Sequence, residues 1–316
     1  MVINIILLIV GFVILIKGAD VFVDGASSLA RNFKLSAMFI GLTIVSFGTS
    51  APEFAVSVQS LLKGSGEIVL GNVIGSNILN ILLILGISSL FHPLTVKNNT
   101  VKKELPITLL LSMLLLVLMN DAIFGFPENT FSRQDGIVLT LFFSVFVYYL
   151  ISMMRNKVDN KNDDEIKYSV TKSIVYVLIG LICVVVGSNF VVDSASNIAL
   201  ALGVSERMVA FTIVALGTSL PELVTSVTAT RKGEYDIAIG NVVGSNIFNI
   251  GIVLGIPVSI FGGINNLTFN PIDLVMLFVS ALILFLFAFK DRKIYRGEGM
   301  VMLFMFTVYY SYVILA

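Results

Sequence analysis

Residues 43–87 read TIVSFGTSAPEFAVSVQSLLKGSGEIVLGNVIGSNILNILLILGI, and residues 212–256 read TIVALGTSLPELVTSVTATRKGEYDIAIGNVVGSNIFNIGIVLGI. The two stretches align without gaps at an offset of 169 residues, with 25 identities over 45 positions. Such a long internal repeat predicts that the chain consists of two related halves. Each polar feature of the first half is therefore expected to have a counterpart in the second.

The composition indicates a protein that lies in lipid. Of the 316 residues, 57% are hydrophobic and 13% are charged, and the mean hydropathy is +0.98. Soluble domains carry about a quarter charged residues, so too few are present here to cover a water-facing surface. Basic and acidic residues both number 20, and this balance gives no indication of nucleic-acid binding.

The apolar stretches are nearly long enough to span a bilayer, which takes about 20 residues as a helix. One polar segment, residues 155–171, separates them into residues 1–154 and 172–316, and its composition predicts a solvated linker. The predicted fold is an all-α membrane protein with ten transmembrane helices, five in each half. The ten predicted spans are residues 2–23, 36–62, 67–91, 104–121, 135–154, 172–193, 205–229, 236–261, 272–289 and 297–316.

Lysine and arginine are unevenly distributed between alternate loops. With the N-terminus outside, the inner loops hold 17 basic residues and the outer loops hold three, namely Lys63, Arg133 and Arg207. Since basic loops stay in the cytoplasm, both termini are expected outside the cell membrane and the linker inside. Five helices per half then place the second repeat upside down relative to the first. Inverted repeats that meet at a site near the midplane are typical of secondary transporters.

Each half carries the motif Gly-Thr-Ser-x-Pro-Glu within an apolar helix, and the motif ends at Glu53 and Glu222. Because proline cannot donate the helical hydrogen bond, Pro52 and Pro221 each free a backbone carbonyl four residues earlier. The break exposes carbonyl oxygens beside a carboxylate. Oxygen donors of these kinds suit a hard cation such as Ca²⁺.

A second motif, Gly-Asn-Val-x-Gly-Ser-Asn-x-x-Asn, ends at Asn80 in the first half and at Asn249 in the second. Ser76 shares a helix face with Asn80 because the two lie four residues apart. At about 1.5 Å per residue, Asn80 returns to the depth of Glu53, near the middle of a core about 30 Å thick. The repeat predicts that the second set reaches this depth from the opposite side.

These polar groups also have a structural interpretation, in which the carboxylates cap broken helices and the other groups bond neighbouring helices. For the glutamates, a cation site is favoured because an ionisable residue at the bilayer centre costs about 3 kcal/mol. No lysine or arginine lies near either glutamate in the sequence. Asp24 and Asp193 also correspond in the repeat, and we expect them to be solvated acids near helix ends. Both interpretations remain open for the asparagines and hydroxyl residues, which are Asn80, Asn249, Thr49, Thr218, Ser50, Ser219, Ser76 and Ser245.

Sequence motifs of several enzyme classes are absent. The chain contains no P-loop, no His-Glu-x-x-His and no dinucleotide-binding fingerprint. We therefore expect a transporter rather than an enzyme, with no cofactor, driven by the gradient of a second ion.

The paired segments resemble the α-repeats of the sodium/calcium exchanger family, within the calcium:cation antiporter superfamily. The resemblance covers both repeats and the ten-helix layout, and it is greatest to the compact prokaryotic members. It implies electrogenic exchange of several Na⁺ for one Ca²⁺ by a protein that functions as a monomer. It also implies that the ion sites lie between helices 2, 3, 7 and 8, while helices 1 and 6 slide to alternate access.

The resemblance implies a role for each matching position. Glu53 and Glu222 would bind both Ca²⁺ and Na⁺, and Thr49 and Thr218 would contribute backbone carbonyls. The carboxamides of Asn80 and Asn249 would line the central position. Six small residues would complete the Na⁺ sites: Ser46, Ser50, Ser76, Ala215, Ser219 and Ser245.

Two positions bear on the choice of ions. K⁺-dependent relatives, and some prokaryotic exchangers, carry aspartate where Asn249 stands. Because asparagine lowers the negative charge of the site, we expect no K⁺ co-transport. Gly75 stands where Ca²⁺/H⁺ exchangers carry an acid, which makes the alternative of Ca²⁺ or Mn²⁺ exchange for protons, through the same glutamates, the second choice. A passive cation channel and an ion-coupled carrier of organic solutes are the other open alternatives.

Overall fold

The computed structural model describes residues 1–121, 129–155, 167–204, 209, 213, 215–264 and 270–315, and in that part the chain is nearly all helical. Most of the predicted linker and the start of the predicted span 205–229 lie outside the described residues. The helices are α1 (Val2–Asn32), α2 (Ala37–Thr49), α3 (Ala51–Leu62), α4 (Gly66–Phe91), α5 (Leu105–Leu118), α6 (Arg133–Arg155), α7 (Val170–Ala201), α8 (Leu220–Arg231), α9 (Tyr235–Phe261), α10 (Pro271–Asp291) and α11 (Arg296–Leu315).

Seven of the described helices are single elements long and apolar enough to cross a membrane, and the bent pair α2–α3 makes an eighth candidate. Large apolar side chains are exposed along α1, α6 and α11, as expected for surfaces that contact lipid. The predicted span 104–121 corresponds to α5, which has only 14 helical residues and is preceded by a π-helical turn at Thr100–Glu104. The protein is therefore a helical, multi-span membrane protein.

The helix α1 packs in an antiparallel direction against α7, its counterpart in the second half. Gly18 of α1 contacts Cys183, and Gly180 of α7 lies against Phe22. A Cβ atom at Gly180 would lie only 2.5 Å from the backbone nitrogen of Phe22. The two backbones approach this closely because a glycine on one helix has no side chain to separate it from the backbone of the other.

The centre of the bundle is formed by α4 and α9. In their most apolar windows, 72% of α4 and 89% of α9 is buried, compared with 33% or less for the other single spans. Their first turns lie at opposite ends of the bundle. Tyr235 at the start of α9 follows Lys232 closely, whereas a Cβ atom on Gly66, at the start of α4, would lie 2.7 Å from Ile264, beyond the end of α9. We refer to these ends as the Lys232 end and the Lys63 end.

Two loops at one end of the bundle are joined by a small sheet. Strand β1 (Leu94–Thr95) pairs antiparallel with β2 (Lys293–Ile294), which ties the segment after α4 to the segment after α10. The structure also joins neighbouring helices through acids at equivalent positions: Glu104 accepts a hydrogen bond from Tyr149, and Asp273 accepts one of 2.7 Å from Tyr309.

Asp24 does not lie at a helix end as expected. The helix α1 continues to Asn32, and the Asp24 carboxylate forms ion pairs with Lys232 at 2.9 Å and with Lys167 at 2.7 Å. The helix therefore extends further than the apolar stretch, and cations supplied by other segments compensate the charge of the acid. The Asp24 carboxylate also raises the pKa of Lys167. Asp193 is likewise within a helix, eight residues before the end of α7.

Candidate cation site

Both motif glutamates lie in the first turn of a helix that starts after a break. The α2–α3 pair bends by 45° at Ser50, and α3 begins with Pro52 in its first turn and Glu53 beside it. In the second half, α8 begins at Leu220 and has Glu222 in its first turn. Proline is tolerated here because the first turn of a helix needs no backbone donor.

The two carboxylates are fully buried, with 0% exposure for both Glu53 and Glu222. Glu222 contacts the segment of the first half that leads directly into Glu53. Glu222 Oε1 accepts a hydrogen bond of 3.0 Å from Ser50 of the first half. Among the described residues, neither oxygen of Glu53 has a partner, nor does Oε2 of Glu222. Three buried carboxylate oxygens are therefore left without a donor, which is unfavourable unless a cation binds them.

No basic side chain neutralises this pair in the part of the chain that the structure describes. The ion pairs there join other acids to Lys or Arg and lie away from both glutamates. The described residues also contain no group of three or more His, Cys, Asp or Glu side chains that could hold a metal ion. Any further ligands from the described residues would be hydroxyl, carboxamide or backbone oxygens.

The small residues around the first break are buried. Ser46, Thr49 and Ser50 are all 0% exposed. The Thr49 hydroxyl donates to the Asn241 side chain at 3.0 Å and lies 3.1 Å from the carbonyl of Val45. The first break is therefore bonded directly to the second half.

The equivalent residues of the second break have fewer partners. Ser219 is 1% exposed, and among the described residues neither its hydroxyl nor that of Thr218 has a hydrogen-bond partner. The backbone of Ala215 begins a short helical turn, Ala215–Gly217. Ser76 and Ser245 are both buried, and the hydroxyl of Ser245 is likewise unpartnered among the described residues.

Four asparagines join α4 to α9 at the centre of the bundle, and two of them were not assigned a role from the sequence. Asn80 and Asn249 are both buried. The amide of Asn80 donates to the side-chain oxygen of Asn246 at 3.0 Å, and the amide of Asn249 donates to that of Asn77 at 3.1 Å. Asn77 and Asn246 end the Gly-Ser-Asn part of the repeated motif, three residues before the assigned pair. Their recurrence in both repeats is the signal that could have identified them.

A π-helical segment begins at each of the two assigned asparagines, Asn80–Leu85 in the first half and Asn249–Leu254 in the second. A third occupies Gly41–Val45, ahead of the first break. Wide turns of this kind are frequent at functional sites, because they leave some carbonyls outside the regular helical pattern. Side-chain periodicity does not predict them.

The two halves of the site differ in packing. Gly240 and Asn241 are buried, whereas of their counterparts Gly71 is exposed and Asn72 is half-buried. A Cβ atom on Gly240 would lie 3.0 Å from the Cα atom of Gly41, and no described atom lies within 4 Å of that position on Gly71. The Lys232 end is therefore tightly packed, and the Lys63 end is more open.

Ion pairs reinforce the packed end. Lys232 binds Asp24, as described above, and Arg31 of α1 binds Glu234 at 2.9 Å. Ser27 also donates to Glu234. These contacts connect the C-terminal part of α1 to the loop between α8 and α9.

Comparisons with known proteins agree with this architecture. A family model described as sodium/calcium exchanger protein matches residues 3–152 and 172–315. The putative antiporter CaxA of Alkalimonas amylolytica is 36% identical and aligns over 98% of both chains. The sodium/calcium exchanger MaX1 of Methanosarcina acetivorans is 33% identical over 97% of both.

A solved structure extends the likeness to three dimensions. The sodium-calcium exchanger NCX_Mj, soaked with 2.5 mM Na⁺ and 0.1 mM Ca²⁺, superposes with a TM-score of 0.83 at 36% identity, covering 98% of this chain and 97% of that one. The family model covers both halves, and the relatives cover nearly the full length. This chain therefore belongs to the sodium/calcium exchanger family and is a membrane antiporter, not an enzyme.

Proposed function

We propose that this protein exchanges Na⁺ for Ca²⁺ across the cell membrane, with both ions using the oxygens around Glu53 and Glu222. The observation that supports this most directly is the buried pair of carboxylates, which come from equivalent positions and have three unpartnered oxygens among the described residues. Ca²⁺ takes six to eight oxygen ligands in proteins.

The other predicted ligands supply oxygens of the right kind. Unpartnered acceptors on Asn80, Asn249, Thr218, Ser219 and Ser245 are buried among the described residues. The carbonyls of the broken segments at Thr49 and Thr218 complete the proposed set, together with the remaining positions Ser46, Ser50, Ser76 and Ala215.

Charge balance makes the exchange electrogenic. Two carboxylates neutralise one Ca²⁺, whereas more than two Na⁺ leave the occupied site positive. Exchange of more than two Na⁺ for one Ca²⁺ therefore moves net charge in each cycle. An empty site leaves two like charges in a low dielectric, which disfavours the conformational change and so enforces coupling.

Alternating access follows if residues 1–154 and 172–316 are inverted five-helix repeats joined by a cytoplasmic linker within residues 155–171. The antiparallel contact of α1 with α7 and the opposite positions of the α4 and α9 starts support this arrangement. Basic loops favour a topology with both termini outside, which makes the Lys232 end cytoplasmic. The packed state would then be closed to the cytoplasm and open to the outside.

Asn249 in place of an aspartate keeps the site at two carboxylates, and we infer that transport needs no K⁺. We also propose that the monomer is the transporting unit, since both halves of the site come from one chain. Proton exchange through the same glutamates is not favoured by the family comparison, whose named relatives include sodium/calcium exchangers.

Uptake of radiolabelled Ca²⁺ into proteoliposomes loaded with Na⁺ tests the proposed function. We expect an outward Na⁺ gradient to drive uptake, a positive charge movement to accompany Na⁺ exit, and replacement of K⁺ by choline to have no effect. Uptake that follows a pH gradient and ignores Na⁺ would select proton exchange instead.

A further inference from the structure

The four central asparagines form two directional chains of hydrogen bonds that cross between α4 and α9. In one chain, Asn77 Nδ2 donates to the backbone carbonyl of Asn246 at 3.1 Å, and Asn249 Nδ2 donates to Asn77 Oδ1 at 3.1 Å. In the other, Asn246 Nδ2 donates to the backbone carbonyl of Asn77 at 3.3 Å, and Asn80 Nδ2 donates to Asn246 Oδ1 at 3.0 Å. All four side chains are 1% exposed or less.

The backbone carbonyl sets the direction of each chain, because a carbonyl can only accept. It binds the amide end of Asn77, which turns Asn77 Oδ1 towards Asn249. That oxygen in turn binds the amide end of Asn249. Reversing any one carboxamide would bring two donors or two acceptors face to face in a buried site, which is unfavourable.

The consequence appears at the far end of each chain. Asn249 Oδ1 and Asn80 Oδ1 are buried and have no hydrogen-bond partner among the described residues. Each amide nitrogen donates back into its chain, so the end of the carboxamide that is left unpartnered is the acceptor oxygen. This is the orientation that a cation requires, since a carboxamide turned the other way would present N–H groups to a positive charge.

We propose that Asn77 and Asn246 are positioning residues, which do not bind the cation but hold Asn249 and Asn80 with their oxygens available to it. This inference rests on the proposed cation site. It assigns a separate partner to each ligand: Asn77 orients Asn249, and Asn246 orients Asn80.

Double variants, which combine loss of a positioning residue with an aspartate in place of a ligand asparagine, test the assignment. Aspartate at position 249 has two acceptor oxygens and no amide end, so it needs no orienting partner. We expect Asn77→Ala to raise the Ca²⁺ concentration for half-maximal binding about tenfold in the wild-type background. In an Asn249→Asp background, Asn77 Oδ1 faces an acceptor instead of a donor, so the same change is expected to leave Ca²⁺ binding unchanged or stronger.

The mirror-image pair provides the matched control. Asn246→Ala is expected to remain harmful in the Asn249→Asp background and to be relieved by Asn80→Asp. A residue that merely packs α4 against α9 would weaken binding equally in both aspartate backgrounds. Asn77→Leu and Asn246→Leu, which keep a similar branched shape without donor or acceptor, are expected to reproduce the pattern if the alanine variants do not fold.

Isothermal titration of the purified proteins with Ca²⁺ and with Na⁺ provides the readout, since it reports binding without transport. Equal losses in both backgrounds, or no loss with either alanine or leucine, would overturn the positioning role and leave the cation site intact. Failure of the wild-type protein to bind either ion would overturn the cation site and, with it, the positioning role.

Discussion

Glu53 and Glu222 combine full burial with the absence of a basic partner in the described part of the chain. A buried carboxylate normally keeps its charge only when a cation or several donors compensate it. Ser50 supplies one hydrogen bond to Glu222, which is too little for two charges. The missing compensation is what the transported ion is expected to provide.

Replacing Glu53 with glutamine preserves the shape of the side chain and removes its charge. We expect Glu53→Gln to lower Na⁺-driven Ca²⁺ uptake at least tenfold, and Glu222→Gln to do the same. Asp291→Asn is the matched control, because the Asp291 side chain is 44% exposed. Full uptake by Glu53→Gln would show that its charge is not part of the site.

At the residue scale, the two glutamates could be predicted from the sequence, because proline, glycine and an acid are unusual within an apolar helix. It did not reach the hydrogen bond between Thr49 and Asn241. That contact joins residues 192 positions apart, and neither residue reveals its partner through its own neighbours in the chain.

At the scale of elements, the breaks were foreseeable and the wide turns were not. Proline predicts that a helix starts anew at α3 and α8, which both do. The π-helical segments at Asn80–Leu85 and Asn249–Leu254 have ordinary apolar sequences. Apolar periodicity does not distinguish such a segment from a regular α-helix.

A pair of equivalent glycines tests the contact between elements. Gly240→Ala would place a Cβ atom 3.0 Å from Gly41, and overpacking of this kind costs about 1–3 kcal/mol. We expect it to lower the Tm of the purified protein by several degrees. Gly71→Ala, with no described atom within 4 Å, is expected to leave the Tm unchanged.

Measuring Ca²⁺ exchange as well as the Tm distinguishes an effect of a glycine variant on transport from an effect on stability. If the halves exchange packing during the cycle, Gly71 is close to its neighbour helix in the opposite state, and Gly71→Ala should slow Ca²⁺ exchange severalfold without lowering the Tm. Unchanged exchange by Gly71→Ala would mean that the Lys63 end does not close.

At the scale of the whole molecule, the repeat relates the ion pair at the packed end to two residues at the open end. Lys63 and Asp193 occupy the positions equivalent to Lys232 and Asp24. Lys232 and Asp24 are bonded at 2.9 Å, whereas Lys63 and Asp193 are exposed and form no ion pair with a described residue.

We expect Lys63 and Asp193 to approach each other when the site opens to the cytoplasm. Cysteines at both positions, in a Cys183→Ser background that removes the single native cysteine, should cross-link in membranes only in that state. The pair at positions 24 and 232 should cross-link in the opposite state. Cross-linking of both pairs under the same conditions, at equal rates and regardless of Na⁺ or Ca²⁺, would contradict alternating closure.

The sequence by itself determined the membrane environment, the two related halves, the broken helices and the pair of acids that interrupts an apolar helix in each half. These properties depend on composition, periodicity and local backbone chemistry. All three can be read from neighbouring residues in the chain, without knowledge of distant contacts. Family membership followed from the same motifs and was confirmed by the comparisons.

Only the tertiary structure decided which ends are packed, which oxygens remain unpartnered and how the four asparagines are oriented. Gly71 and Gly240 begin the same Gly-Asn-Val-x-Gly-Ser-Asn motif, so the sequence around them cannot reveal that Gly240 is buried while Gly71 is exposed. That difference is a property of how the helices are arranged in this structure. It arises because nearly equivalent contacts at the two ends are not formed together in this structure.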